Sequence, residues 1–180
     1  MEEIKTDRLV LRRARPEDAE ALCQIRNTEY VMKYNGMKEE PLEKIREQVQ
    51  KDSGSDRAFY LEGRESGALV GAVWLREDPF RHKVPAVLLA YFLGEEFAGK
   101  GLMTEALRAV LPYAFSNLQA EVVSAQVFAG NIGSERVLEK LGFQREGVMR
   151  RAVLGHGDIV YDTVLFSLLR EEWERQGKTG

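Results

Sequence analysis

Eight residues, Gly94-Glu-Glu-Phe-Ala-Gly-Lys-Gly101, carry the first sign of chemistry in this chain. They follow an apolar run, Val87 to Leu93, that reads as a buried strand. They precede Leu102, Met103, Ala106, Leu107, Val110, Leu111 and Ala114, which recur at helical spacing. A strand, a glycine loop and a helix start together suit an anion. The first helical N–H groups lack intrahelical partners, and the helix dipole places about half a positive charge there. Gly99 and Gly101 leave the backbone open to a phosphate. The same residues also fit a plain strand–helix turn without a ligand.

Three nucleotide patterns compete for the loop. It is one residue from the P-loop pattern G-x-x-x-x-G-K-[ST], but Gly101 lacks the hydroxyl that holds Mg²⁺. Glu95 and Glu96 would also turn negative charge towards a triphosphate. The dinucleotide pattern G-x-G-x-x-G fails because its third glycine would fall on Thr104. A G-x-G helix start remains, suited to a pyrophosphate without an obligatory metal. A second polar group follows the next strand. Asn131 and Ser134 open a short helix whose local chemistry is an N-cap and a first-turn serine.

The elements that must position these groups are legible in outline. Thr6 to Arg13 alternates as an edge-like strand, and Arg15-Pro16-Glu17-Asp18 opens a helix bearing Leu22, Cys23 and Ile25. Residues 30–40 lack a period and read as a loop. Its Tyr30, Met32, Tyr34 and Met37 either pack on the core or wall an acceptor pocket. Pro41 starts a helix with Leu42, Ile45 and Val49 on one face, ending near Ser53 to Ser55. Ala58 to Glu62 and Ala68 to Leu75 form a hairpin, and Glu77 to Pro85 is a turn. Pro112 predicts a kink in the long helix. Glu121 to Phe128 is a strand, Gly142 ends the short helix, and Phe143 to Leu154 and Ile159 to Leu169 are two final strands. Residues 173–180 read as a fraying tail after a single domain over 1–172.

Composition narrows the class. With 180 residues, 44% of them hydrophobic, the chain can bury one real core. A net charge of −3 gives no basic field for nucleic acid. No apolar run reaches membrane-spanning length and the start is too polar for a signal peptide, so a cytoplasmic protein with no membrane partner is expected. One cysteine excludes an internal disulfide, and His82 and His156 with Cys23 make a poor zinc set, so no metal is expected.

The glycine loop, the continuation Gly101-Leu-Met-Thr-Glu-Ala-Leu107, Asn131-x-x-Ser134, and Leu138-Glu-Lys-Leu-Gly-Phe143 together resemble the GNAT superfamily of acyl-CoA N-acyltransferases. Within it they are most similar to the RimJ/RimL-type ribosomal-protein N-terminal acetyltransferases. Glu96 stands where that signature usually has Gln or Arg. The resemblance covers nearly the whole chain. It implies an α/β (α+β) fold: a mixed, mostly antiparallel, twisted sheet of about seven strands flanked by about four helices.

The resemblance also implies transfer of acetyl from acetyl-CoA to a primary amine, most simply a protein N-terminus. The N–H groups around Ala98, Gly99, Lys100, Gly101, Leu102 and Met103 would hold the pyrophosphate. A backbone N–H near Phe92 or Leu93, where relatives have a bulge, would polarise the thioester carbonyl. Asn131 would lie beside the pantetheine arm, and Ser134 would protonate the leaving thiolate. A family glutamate nineteen residues after that serine is here Val153, leaving Glu77, Tyr91, Asp158 or solvent as the base. A small-amine acetyltransferase, a non-catalytic acyl-CoA-binding module and a nucleotide hydrolase are the rival readings. The acceptor stays unnamed, and a homodimer stays open.

Overall fold

The computed structural model describes residues 2–35 and 38–177; Met37 lies outside them. Strands β1 (Ile4–Lys5), β2 (Leu9–Arg12), β3 (Ala58–Gly63), β4 (Leu69–Glu77), β5 (Ala86–Leu93), β6 (Val122–Phe128), β7 (Gln144–Leu154) and β8 (Val160–Leu169) form one sheet in the order β1-β2-β3-β4-β5-β6-β8-β7. Only β5 and β6 run parallel; every other neighbouring pair is antiparallel. Helices α1 (Asp18–Arg26), α2 (Glu29–Asn35), α3 (Leu42–Ser53), α4 (Leu102–Ser116), α5 (Ile132–Lys140) and α6 (Arg170–Gly177) complete the described chain.

The central strands are apolar on both faces because both are covered. One face packs Val73, Leu75 and Leu89 against Leu107, Val110 and Phe115 of α4 and Leu138 of α5. The other packs Ala72, Trp74 and Phe92 against Leu22 of α1 and Ile45 and Val49 of α3. A buried ion pair fixes the start of α1. Arg12 donates through both Nη1 and Nη2 to Asp18 at 2.8 Å, and through Nε to Glu62 at 2.6 Å. Asp18 also accepts the Arg15 N–H at 2.7 Å, so both its oxygens are used.

Three sequence readings change. The stretch expected to be a loop contains α2, of which only Val31 and Met32 are buried. Residues 173–177, expected to fray, are helical in α6, where Trp173 stacks on Phe115 with centroids 5.0 Å apart; residues 178–180 lie outside the described ones. The sheet has eight strands and the described chain six helices, because the short β1 joins the edge and α2 and α6 add to the four expected helices. Helix α4 continues a turn past Pro112 to Ser116. Gly142, with φ +83°, follows α5 as anticipated.

Candidate active site

The site begins where two parallel strands part. β5 pairs with β6 only from Ala86 to Leu89, whereas against β4 it continues in unbroken register to Leu93. Ala90 to Leu93 therefore border a gap on the β6 side. No register shift marks β5 here, so the bulge expected near Phe92 and Leu93 is absent. Backbone direction tells these two residues apart. The Gly94 N–H donates to the Val70 carbonyl of β4 at 2.9 Å, and a side chain on Gly71 of β4 would collide with the Phe92 carbonyl oxygen. Phe92 thus turns its backbone polar groups to β4. Strand alternation then turns those of Tyr91 and Leu93 into the gap.

Beyond Gly94 a single 3₁₀ turn, Glu95–Phe97, leads to the glycine loop. Its Ala98 is half-buried and donates its N–H to the Glu95 carbonyl. Gly99 and Gly101 adopt φ values of +72° and +78°, a region that side chains resist. Leu102 and Met103 bury their side chains in the core while their N–H groups begin α4. None of the backbone N–H groups from Gly99 to Thr104 has a hydrogen-bond acceptor among the described residues. Six adjacent donors at the positive end of a 15-residue helix form an open cradle of the kind that suits a phosphate anion. Lys100 is exposed beside it, as is Glu96.

The cradle is braced from the turn between β1 and β2. Glu105, in the first turn of α4, accepts from Thr6 Oγ1 at 2.6 Å, the Arg8 N–H at 2.8 Å and Arg8 Nε at 2.7 Å. Arg8 Nη1 also donates to the Lys100 carbonyl at 2.9 Å. Partial burial works against the Glu105 charge, but these donors hold its carboxyl below the usual range. No sequence pattern announced this brace.

Across the gap, Asn131 caps α5 by accepting the Ser134 N–H on Oδ1 at 3.2 Å. The Ser134 hydroxyl lies 2.6 Å from the Tyr91 hydroxyl. The structure thereby brings Ser134 to β5, two residues before Leu93, while no hydrogen bond joins this pair to the glycine cradle. Burial pushes the Tyr91 phenol up to about 12, against a smaller opposing effect of the Ser134 bond. Tyr91 therefore keeps its proton at neutral pH and does not fit as the base for an amine. Glu77 pairs with Val87, four residues from Tyr91 along β5, about 13 Å at 3.3 Å per residue, and so lies at the other end of the strand. Val153, at the family glutamate position, is half-buried opposite Tyr161. No carboxylate bonds to either hydroxyl among the described residues.

A parted pair of parallel strands with open helix-start amides at one end and a fixed hydroxyl pair beside it suits a transferase that draws on a phosphate-bearing acyl carrier. Comparison with known proteins agrees. The Acetyltransferase (GNAT) domain family matches residues 8–144. YdaF of Bacillus subtilis, named provisionally as a ribosomal N-acetyltransferase, is 32% identical over 178 residues, covering 93% of this chain and 94% of its own. A GNAT-family acetyltransferase structure from Bacillus anthracis superposes with a TM-score of 0.84 at 27% identity, covering 95% of this chain and all of that one. Mycobacterium smegmatis RimJ, solved with a CoA disulfide, shares the fold at a TM-score of 0.77 and 22% identity, covering 96% of this chain and 89% of its own. The chain belongs to the GNAT acetyltransferase family and is an acetyl-CoA-dependent acyltransferase. Among the described residues no helix is long and apolar enough to cross a membrane, and no group of His, Cys, Asp and Glu could hold a metal ion.

Proposed function

We propose that this protein transfers acetyl from acetyl-CoA to the N-terminal amine of a protein, with a ribosomal protein as the model acceptor. The observation that carries the cosubstrate assignment is the run of unpartnered N–H groups from Gly99 to Thr104. The similarity to YdaF over 93% of the chain supports the acceptor class.

The chemistry follows from the groups at the gap. The amides from Gly99 to Met103 hold the pyrophosphate, with Lys100 beside it. The pantetheine arm runs past Asn131 into the parted strands, in place of the backbone partner that β6 no longer supplies to Leu93. The Leu93 N–H faces the thioester oxygen and stabilises the charge that develops there as the amine attacks. Phe92 serves differently from the Leu93 amide: its backbone faces β4, and its ring closes the opposite face of the sheet. As the carbon–sulfur bond breaks, Ser134 gives its proton to the departing sulfur, Tyr91 passes its own to Ser134, and solvent, which takes the amine's proton, returns one to Tyr91. The amine loses its proton to water, since no carboxylate touches the pair.

Thiol release from acetyl-CoA, measured with N-terminal ribosomal peptides and with polyamines, amino acids and aminoglycosides, tests this reading. Mass spectrometry should find the acetyl group on the peptide α-amine. Acetylation confined to the small amines would contradict the acceptor assignment, and absence of thiol release with every amine would contradict turnover itself.

A further inference from the structure

A cavity of about 220 Å³ opens on the α1–α3 face of the sheet, and Phe92 forms part of its wall. This places it one residue from the Leu93 amide. Its apolar floor is Trp74 and Phe92, whose ring centroids are 5.4 Å apart. The indole is held from behind: Trp74 Nε1 donates to Asp52 at 2.9 Å, and Asp52 also accepts from Tyr60 at 3.0 Å and Gln48 at 2.8 Å. The Asp52 charge is therefore saturated by three donors.

The rim of this cavity is positive in a chain whose net charge is −3. Arg26 pairs with Glu40 at 3.1 Å, which cancels both. Lys44 and Arg76 have no carboxylate partner among the described residues. The Arg76 guanidinium lies 5.7 Å from the Trp74 ring centroid, a cation–π position that keeps it over the cavity. Two unpaired cations above an aromatic floor are a receptor for a carboxylate with an apolar stem.

Distance says which carboxylate. The Arg76 guanidinium lies over the Trp74 ring, and Trp74 pairs with Ala90, two residues back from Phe92 along β5, or about 7 Å at 3.3 Å per residue. An extended peptide with its amine at the gap advances about 3.3–3.6 Å per residue. Its third residue, two steps on, is level with that point, and a side chain as long as glutamate carries a carboxylate out to the two cations. We infer that this cavity is an acceptor subsite that selects peptides bearing an acidic side chain at the third position. The inference rests on the peptide-acetyltransferase reading above.

The test compares three peptide amides, Ala-Ala-Glu-Ala-Ala-Tyr and its third-position Gln and Lys counterparts. The Glu peptide should exceed the Gln peptide in kcat/KM by tenfold or more, with the Lys peptide poorest. In Lys44→Gln/Arg76→Gln the Glu-to-Gln ratio should fall to near one with KM for acetyl-CoA unchanged. Arg76→Lys, which keeps the charge, should retain the preference. Equal kcat/KM for Glu and Gln peptides in the unaltered protein would overturn the inference while leaving peptide acetylation standing. If no peptide is acetylated, the peptide reading fails by itself. The subsite is then judged by Trp74 fluorescence in Trp173→Phe saturated with acetyl-CoA, where equal binding of Glu and Gln peptides overturns it and preferential binding of the Glu peptide supports it.

Discussion

The Tyr91 and Ser134 hydroxyls meet at 2.6 Å, joining the end of β5 to the first turn of α5 across the gap between the parallel strands. Tyr91 packs, partly buried, against the α4 side of the core, and its phenol is pushed up to about 12. It holds its proton at neutral pH and can donate to the Ser134 oxygen, which leaves the serine hydrogen free to face the sulfur. Ser134→Ala should lower kcat about a hundredfold, the low end for loss of a general acid, with acetyl-CoA affinity nearly kept. Tyr91→Phe keeps the ring and should lower kcat about tenfold. Steady-state kinetics beside calorimetric affinity for acetyl-CoA reads both effects, and unchanged turnover in Ser134→Ala would remove the serine from the mechanism.

Tyr91 also sets an alkaline signature. Its folded-state pKa lies above that of an exposed phenol, near 10, so its contribution to stability is complete below about pH 10 and is lost as pH rises towards 12. Thermal melts of the unaltered protein and Tyr91→Phe between pH 9 and 11.5 should therefore converge or cross, the unaltered protein falling faster. Parallel curves would mean that the phenol is not shielded as the structure places it.

Glu105 gives the opposite sign. Its carboxyl is held below the usual range by Thr6 and Arg8, so the stability it adds is present above the ordinary carboxylate pKa and is lost as pH falls through the lowered one. Glu105→Gln should cost about 1–2 kcal/mol near neutrality, in line with loss of charge-assisted hydrogen bonds. The gap between its melting temperature and that of the unaltered protein should narrow as pH drops from 6 towards 3.5.

Asp18 is a purely structural prediction. Asp18→Ala leaves the Arg12 guanidinium, with a side chain only 4% exposed, with Glu62 as its one remaining carboxylate among the described residues. Breaking a buried pair in this way costs about 3–5 kcal/mol. Chemical denaturation should show that loss, and a change below about 1 kcal/mol would contradict the buried, bidentate pair.

The residues that could be read in advance were those whose signal is local. Gly99 and Gly101 marked a loop whose backbone is open to a ligand, and the structure gives both positive φ values that favour glycine. The apolar periods of β5 and α4 survived because both elements are long and pack their apolar residues into the core. What stayed hidden depends on tertiary contact. Helix α2 has seven residues, two of them buried, too few to leave a period. Five of the eight residues of helix α6 are charged, and what ties it down comes from far along the chain: Trp173 stacks on Phe115 and Arg170 donates to the Ala120 carbonyl. The Tyr91–Ser134 bond spans 43 residues, and the Glu105 brace nearly a hundred. The choice of Leu93 over Phe92 needs the strand register, because both residues belong to one apolar run. The cationic cavity draws on α1, α3, β4 and β5 at once, so no segment of the chain displays it.

The central claim is that the Gly99–Thr104 amides hold acetyl-CoA by its pyrophosphate, and a calorimetric titration tests it most directly. The Gly99 position has open space around a Cβ, so Gly99→Val should fold, at a cost of about 1–3 kcal/mol for its positive φ, while its side chain blocks the cradle. The unaltered protein should bind acetyl-CoA at micromolar strength and Mg·ATP not at all, and Gly99→Val should bind acetyl-CoA at least tenfold more weakly. Equal acetyl-CoA affinity in the two proteins, or binding of Mg·ATP in its place, would contradict the cradle.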